Sequence, residues 1–121
     1  MVIQIVIVED EMIIALDLEL RLKKLGYEVI GIAASGVDAI KLVKNNEVDL
    51  IFMDILLKGK LNGMETARLI EEEFDIPIIY NSANSDILTV EAVKNPNHYG
   101  YLVKPFNDIQ LQQAIKNILK L

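Results

Sequence analysis

Five short apolar runs, each followed by a longer stretch with helical spacing, constrain the fold of this 121-residue chain more than any other feature. The runs are rich in β-branched residues and occupy positions 2–8, 28–33, 49–53, 76–80 and 101–103. The runs at 2–8 and 49–53 are almost continuously apolar, which is typical of strands that helices cover on both faces. The alternation therefore predicts an α/β fold in which five strands form a parallel sheet with helices on both sides.

Polar residues at fixed offsets predict where helices begin. Asn62 with Glu65, and Asn107 with Gln110, have the spacing of a capping box, in which each side chain bonds the other residue's backbone N–H. The simpler signals are the N-cap candidates Asp10 and Ser35 and the helix stops Gly26 and Pro96. Because no Gly/Ser-rich linker or repeat divides the chain, we expect one domain spanning residues 1–121.

Composition and charge exclude several classes of function. A hydrophobic fraction of 52% with 25% charged residues predicts a globular domain, and a formal charge of −6 argues against nucleic acid contact by this domain. The absence of cysteine excludes disulfides, thiolate nucleophiles and Cys-ligated metals. No apolar stretch approaches the roughly 20 residues of a membrane span, and the first residues do not resemble a signal peptide. We therefore expect a cytoplasmic protein without membrane contact.

Polar residues follow four of the predicted strands directly. Glu9 and Asp10 follow the first strand, Asp54 the third, Ser82 the fourth and Lys104 the fifth. In a parallel sheet with right-handed crossovers, the carboxyl ends of all strands lie along one edge, which is where open α/β sheets bind ligands. The sequence therefore predicts that three carboxylates, a hydroxyl and an ammonium converge.

The chemistry of this group indicates a metal ion and an anion. Three carboxylates and one ammonium leave a net charge of −2, which a hard divalent cation would offset. Mg²⁺, held by one or two carboxylates and waters, suits such a site best. Lys104 then remains for an anion, and Ser82 offers it a hydrogen bond. We interpret the anion as a phosphoryl group.

Four segments of the chain carry a resemblance to a known family. "IVIVEDE", "DLIFMDILL", "IIYNSAN" and "GYLVKPF", in this order and at these separations, resemble the receiver domain of two-component response regulators, and the similarity covers essentially the whole chain. The resemblance implies a doubly wound, flavodoxin-like (βα)5 sandwich with strand order 2-1-3-4-5.

The resemblance also implies a role for each of the three acidic residues at this edge. Asp54 would be the phosphoacceptor. Glu9 and Asp10 would hold Mg²⁺ together with Asp54 and the backbone carbonyl of Leu56. The phosphoryl group would come from the phosphohistidine of a sensor histidine kinase or a phosphotransfer protein.

Four further residues would respond to the phosphoryl group. Lys104 would contact it and precede a cis peptide bond to Pro105, Ser82 would be the switch hydroxyl and Tyr101 the switch aromatic. The switch would remodel the face formed by the helix after the fourth strand, the fifth strand and the last helix. A downstream protein or an attached output domain would bind that face, so the domain would act as a switch and not as an enzyme.

The chain departs from the family pattern at three places, none of which removes a required chemical group, and two alternative functions remain open. Glu9 stands where Asp is more frequent, Ser82 where Thr is frequent, and the loop "ILLKGKLNG" lacks the usual proline. A phosphatase with an aspartyl nucleophile would share the Mg²⁺ chemistry, but it usually has an acid two residues after the nucleophile, where this chain has Leu56. A flavodoxin-type flavin module would share the fold, but "EDEMII" would repel the flavin phosphate.

Overall fold

The computed structural model of the chain describes residues 2–83 and 98–121. The strands in these parts are β1 (Gln4–Val8), β2 (Glu28–Ala33), β3 (Leu50–Asp54), β4 (Ile78–Ser82) and β5 (Tyr99–Val103). The helices are α1 (Met12–Lys24), α2 (Gly36–Asn45), α3 (Gly63–Glu71) and α4 (Asp108–Leu119). The helix predicted between the fourth and fifth strands, and its stop at Pro96, lie outside the described residues. None of the described helices is long and apolar enough to cross a bilayer.

The five strands form one parallel sheet in the order β2-β1-β3-β4-β5, which confirms the predicted fold. After β1 the chain adds β2 on one side, and it then crosses back to place β3 on the other side. The order of the strands therefore reverses between β1 and β3. Val8 pairs with Met53, so that Glu9 and Asp54 follow at neighbouring positions on the same edge.

The sheet buries side chains on both faces, which explains the continuous apolar runs. In β1, Ile5 and Ile7 pack with residues of α1 and α4, whereas Val6 and Val8 pack with residues of α2 and α3. Every residue of β3 and β4 is buried. Burying one such aliphatic side chain contributes roughly 1.5–3 kcal/mol, so both faces of the sheet stabilise the fold.

Most helix ends follow the local signals. Both predicted capping boxes are present, at the starts of α3 and α4, and Ser35 accepts a hydrogen bond from the Asp38 N–H at the start of α2. Gly26 follows the end of α1 with a φ of 96°, a conformation that glycine adopts without strain.

The prediction that Asp10 caps α1 is wrong. The N-cap position is Glu11, and its side chain makes no capping hydrogen bond. The Asp10 carboxylate instead accepts the backbone N–H of Lys58. A tertiary hydrogen bond therefore replaces the local one.

The predicted strand limits are also partly wrong. The first strand begins at position 4 and not 2, the fourth at 78 and not 76, and the fifth at 99 and not 101. Asp54 and Ser82 are the last residues of β3 and β4, where they still pair with Asn81 and Val103, and do not lie beyond the strands. Apolar patterns report burial, whereas strand limits depend on inter-strand hydrogen bonds.

Candidate functional site

Three carboxylates meet at the carboxyl edge of β1 and β3. One carboxylate oxygen from each of Glu9, Asp10 and Asp54 lies within 4.8 Å of the other two. The reversal of strand order brings them together, because it makes β1 and β3 direct neighbours. The sequence prediction that these three acids converge is therefore confirmed.

Backbone N–H groups partly compensate the burial of these acids. Glu9 is 3% exposed and Asp54 5% exposed, while Asp10 is only partly buried. Buried carboxylates are costly unless they are hydrogen-bonded or paired with a cation. The backbone donors are Glu11 N–H to Glu9 Oε2 at 3.2 Å, Leu56 N–H to Asp54 Oδ1 at 3.1 Å, and Lys58 N–H to Asp10 Oδ2 at 3.1 Å.

Lys104 places a cation between two of the acids. Its Nζ lies 2.8 Å from Glu9 Oε1 and 3.7 Å from Asp54 Oδ1. The residue follows β5, where its N–H donates to the backbone oxygen of Ser82, and its peptide bond to Pro105 is cis. The ammonium therefore hydrogen-bonds Glu9 and only approaches Asp54.

Burial raises the pKa of Glu9 above its ordinary value. The hydrogen bonds from Lys104 and from the Glu11 N–H act in the opposite direction, and the nearby Asp54 carboxylate adds a smaller upward effect. Glu9 is thus an acid whose ionised form depends on its partners. Among the described residues, Lys104 is the partner of Glu9 that carries a full positive charge.

Ser82, Leu56 and Tyr101, the other predicted site residues, differ in position and exposure. Ser82 ends β4 at the same edge and is 1% exposed. Tyr101 lies in β5 opposite Tyr80, and its side chain is 45% exposed. Leu56 offers its N–H to Asp54 but directs a 62% exposed side chain outward.

The donor set fits a hard divalent cation. All three side chains offer carboxylate oxygens, the ligands that Mg²⁺ and Ca²⁺ prefer, and the group contains no nitrogen or sulfur ligand. The loop after β3 passes close to the cluster, because the Leu56 and Lys58 N–H groups reach two of the acids. The residues present can therefore hold such an ion.

Two features of the site were not predicted from the sequence. The Lys58 N–H contact to Asp10 involves a backbone group, which almost every residue type has, so the sequence does not indicate it. The pairing of Lys104 with Glu9 was also missed, although Glu9 in place of the more frequent Asp was a signal of a longer side chain at this position.

The chain belongs to the response regulator receiver domain family, whose model matches residues 5–116. It is therefore a receiver domain of the two-component type, a signalling domain.

Individual relatives agree with this assignment. The chain is 40% identical over 119 residues to the transcriptional regulatory protein YvrH of Bacillus subtilis, covering 96% of this chain and 48% of that protein. It is 34% identical over 113 residues to the transcriptional regulatory protein PdtaR of Mycobacterium tuberculosis, covering 93% and 55%. The chain thus spans about half the length of these relatives.

Solved structures share the fold over nearly the full chain. The signal receiver domain of a modulated diguanylate cyclase from Desulfovibrio desulfuricans matches with a TM-score of 0.86 at 32% identity, covering 99% of this chain and 95% of that one. The receiver domain of the sensor histidine kinase PA1611 from Pseudomonas aeruginosa matches with a TM-score of 0.85 at 28% identity, covering 100% of both chains. That structure has a magnesium ion coordinated in the active site cleft.

Proposed function

We propose that Asp54 accepts a phosphoryl group in a Mg²⁺-dependent reaction, and that phosphorylation switches the domain. The observation that carries the proposal is the meeting of three carboxylates within 4.8 Å, with the Lys104 ammonium 3.7 Å from Asp54. The donor would be the phosphohistidine of a sensor histidine kinase or a phosphotransfer protein, since the chain belongs to a family of two-component signalling domains.

The site residues divide the work of the transfer. An Asp54 carboxylate oxygen attacks the phosphorus in line, the phosphorus–nitrogen bond to histidine breaks, and the electron pair stays on the imidazole, which takes up a proton. Glu9, Asp10, Asp54 and the Leu56 carbonyl would hold Mg²⁺. When bound, Mg²⁺ supplies positive charge for the oxygens of the transferring group. Lys104 supplies further positive charge, because its ammonium lies 3.7 Å from Asp54 Oδ1.

The proposal also includes two further points. Residues 1–121 would form one receiver domain, and this domain would support its own phosphorylation and dephosphorylation without turning over a separate substrate. Its output would be a downstream protein or an attached output domain, which the greater length of the relatives supports. The cytoplasmic location expected from the sequence stays a prediction.

Intact mass spectrometry after incubation with acetyl phosphate and Mg²⁺ tests the proposal. We expect one phosphoryl group per chain, none in Asp54→Asn, and none in wild type with EDTA. Asp49→Asn is the matched control, because Asp49 is an exposed carboxylate at the opposite end of the same strand and should leave labelling unchanged. Undiminished labelling of Asp54→Asn, or full labelling in EDTA, would refute the assignment. Turnover of a phosphomonoester would instead support the phosphatase alternative.

A further inference from the structure

We propose that a pocket between α1 and the segment that leads into α4 binds a small, uncharged organic molecule with an apolar body and a lactam-like edge. The pocket has a volume of about 390 Å³, and Asn81 lies in its wall. Glu9 and Lys104 line it as well, so it adjoins the acidic cluster. The proposal goes beyond the proposed phosphorylation, because binding here requires neither Mg²⁺ nor a phosphoryl group.

The walls of the pocket are largely apolar. α1 contributes Ile13, Ile14 and Leu18, β1 contributes Ile7, and Phe106 comes from the segment before α4. Of these, Ile13 is 85% exposed and Ile14 37% exposed, so the domain leaves part of this apolar lining in water. Removing such surface from water is favourable, and an apolar lining of this size with a few polar groups is typical of small-molecule sites. An apolar molecule therefore gains more from this space than water does.

Asn81 is the polar group that determines the chemistry of the ligand. The residue is 4% exposed, and alternation along β4 places it on the same face of the sheet as Ile79, which packs with residues of α1 and α4. Within the described parts of the chain, its side-chain amide forms no hydrogen bond. Buried side-chain amides are normally hydrogen-bonded, and an unpartnered one costs free energy. The amide therefore lines the pocket with its hydrogen-bonding groups still available.

The two groups of this amide specify a matching edge on the ligand. Its NH₂ group donates and its oxygen accepts, side by side in one plane. A lactam carries a carbonyl acceptor and an N–H donor on adjacent atoms, so it can form both hydrogen bonds with Asn81 at once. The same bidentate pattern lets Asn recognise the edge of adenine in DNA. Lactams and lactam-like heterocycles are therefore the class of ligand that fits.

The charged groups of the pocket favour an uncharged ligand. Two acids, Glu9 and Asp17, and two bases, Arg21 and Lys104, line it. The ammonium of Lys104 lies 2.8 Å from Glu9. The guanidinium of Arg21 lies 2.6 Å from Asp108 and 3.7 Å from Asp17. A charged ligand would have to displace one of these partners and would meet a like charge nearby, whereas a neutral ligand leaves the ion pairs intact.

Titration of the full chain with oxindole, a bicyclic lactam, and with N-methyloxindole tests the proposal. The second compound keeps the carbonyl group and the apolar body but lacks the N–H donor. We expect oxindole to bind saturably at one site and N-methyloxindole to bind about fivefold more weakly, which corresponds to the loss of one neutral hydrogen bond. NMR of the ¹⁵N-labelled chain, without Mg²⁺ or a phosphoryl donor, measures both affinities. The side-chain NH₂ signals of Asn81 should shift with oxindole.

Asn81→Leu provides the matched test within the protein. It replaces the amide by an apolar group of similar size, so the preference for oxindole over N-methyloxindole should disappear. Because the amide forms no hydrogen bond within the described residues, the variant should also melt no lower than wild type. Asn45→Leu makes the same change at an exposed position of α2, which packs on the opposite face of the sheet, and should leave the preference unchanged.

Three outcomes would overturn the proposal: a preference that persists in Asn81→Leu, equal binding of the two compounds by wild type, or shifts confined to residues away from the pocket. Absence of saturable binding by either compound would also overturn it, because the pocket would then hold water only. None of these results bears on phosphorylation of Asp54, which labelling with acetyl phosphate tests separately.

Discussion

At the scale of single residues, a glycine determines how closely α3 approaches the phosphoacceptor candidate. A β-carbon at Gly63 would overlap the backbone carbonyl oxygen of Asp54 and lie 2.8 Å from the Cα of Ile55. The Gly63 N–H donates to the Ile55 carbonyl at 3.1 Å, which ties the helix start to the end of β3. Because the obstructing atoms belong to the backbone, they cannot rotate away as a side chain would.

We expect Gly63→Ala to lower the free energy of unfolding by about 1–3 kcal/mol, the usual cost of overpacking. This predicted loss of stability is opposite in sign to the effect of helix propensity, which favours Ala over Gly. The added β-carbon should also displace Asp54, and this displacement should weaken Mg²⁺ binding. Urea unfolding and Mg²⁺ titration measure the two effects.

Gly31→Ala is the matched control for Gly63→Ala. Its β-carbon would meet the terminal carbons of Leu42 at 3.0 Å, which belong to a flexible side chain that can turn aside. We expect a smaller loss of stability and unchanged Mg²⁺ affinity. If Gly63→Ala were as stable as wild type, the close approach would have no energetic importance.

The identity of the site residues was more predictable than their partners. Glu9, Asp10 and Asp54 are polar residues that end apolar runs, so their position at the sheet edge followed from the strand pattern. Asp10 accepts the Lys58 N–H and does not cap a helix, and Lys104 hydrogen-bonds Glu9 and does not wait free for an anion. Both contacts depend on distances across the fold. Residue type alone carries no record of those distances.

At the scale of whole elements, Arg21 joins α1 to the start of α4. Its Nε donates to Asp108 Oδ1 at 2.6 Å and its terminal nitrogen donates to the Phe106 carbonyl at 2.7 Å. The guanidinium also lies 4.8 Å from the centroid of the Phe106 ring, and the side chain is 20% exposed. One side chain therefore connects two helices that cover the same face of the sheet.

We expect Arg21→Ala to destabilise the domain by about 1–3 kcal/mol, because it removes charged hydrogen bonds and a stacking contact together. Lys23→Ala is the comparison. The Lys23 side chain is 60% exposed and its nearest approach to Glu19 is 3.9 Å, so its loss should cost less than about 0.5 kcal/mol. Urea unfolding of both variants measures the difference, and equal losses would contradict the proposed link between the helices.

Elements with local signals were predicted well. The capping boxes of α3 and α4 form between residues three apart, so they need no tertiary partner. The strands were found because burial on both faces requires apolar runs. The limits of β2 were correct, whereas several limits of the other strands were misplaced by one or two positions. Inter-strand pairing extends β3 and β4 to include Asp54 and Ser82, and neither residue is apolar.

At the scale of the whole molecule, the proposed switch must connect Ser82 with β5. Ser82 pairs with Val103, and Tyr80 pairs with Tyr101, so the two strands are directly coupled. A hydrogen bond to a charged group contributes roughly 1.5–3 kcal/mol. Moving a two-state equilibrium from 1:99 to 99:1 requires about 5.5 kcal/mol. Ser82 therefore cannot supply the whole effect.

We expect Ser82→Ala to bind beryllofluoride, a phosphoryl mimic, but to shift only part of the way to the active state. NMR of the β5 and α4 amides, with and without the mimic, measures the shift. Tyr101→Ala should retain phosphorylation of Asp54, because Tyr101 is exposed and takes no part in the proposed phosphoryl transfer. A complete shift in Ser82→Ala, or none in wild type, would contradict the coupling.

The hydrogen bond between Lys104 and Glu9 joins residues 95 positions apart, and this separation has a consequence for synthesis of the chain. At roughly 5–20 residues per second, a ribosome needs about 5–20 s to proceed from one partner to the other. During that time the nascent chain carries Glu9, Asp10 and later Asp54 without the ammonium that accompanies them in the finished domain. The sheet can begin to pair at β1 and β2, but Lys104 reduces the negative charge of its acidic edge only after β5 has been made.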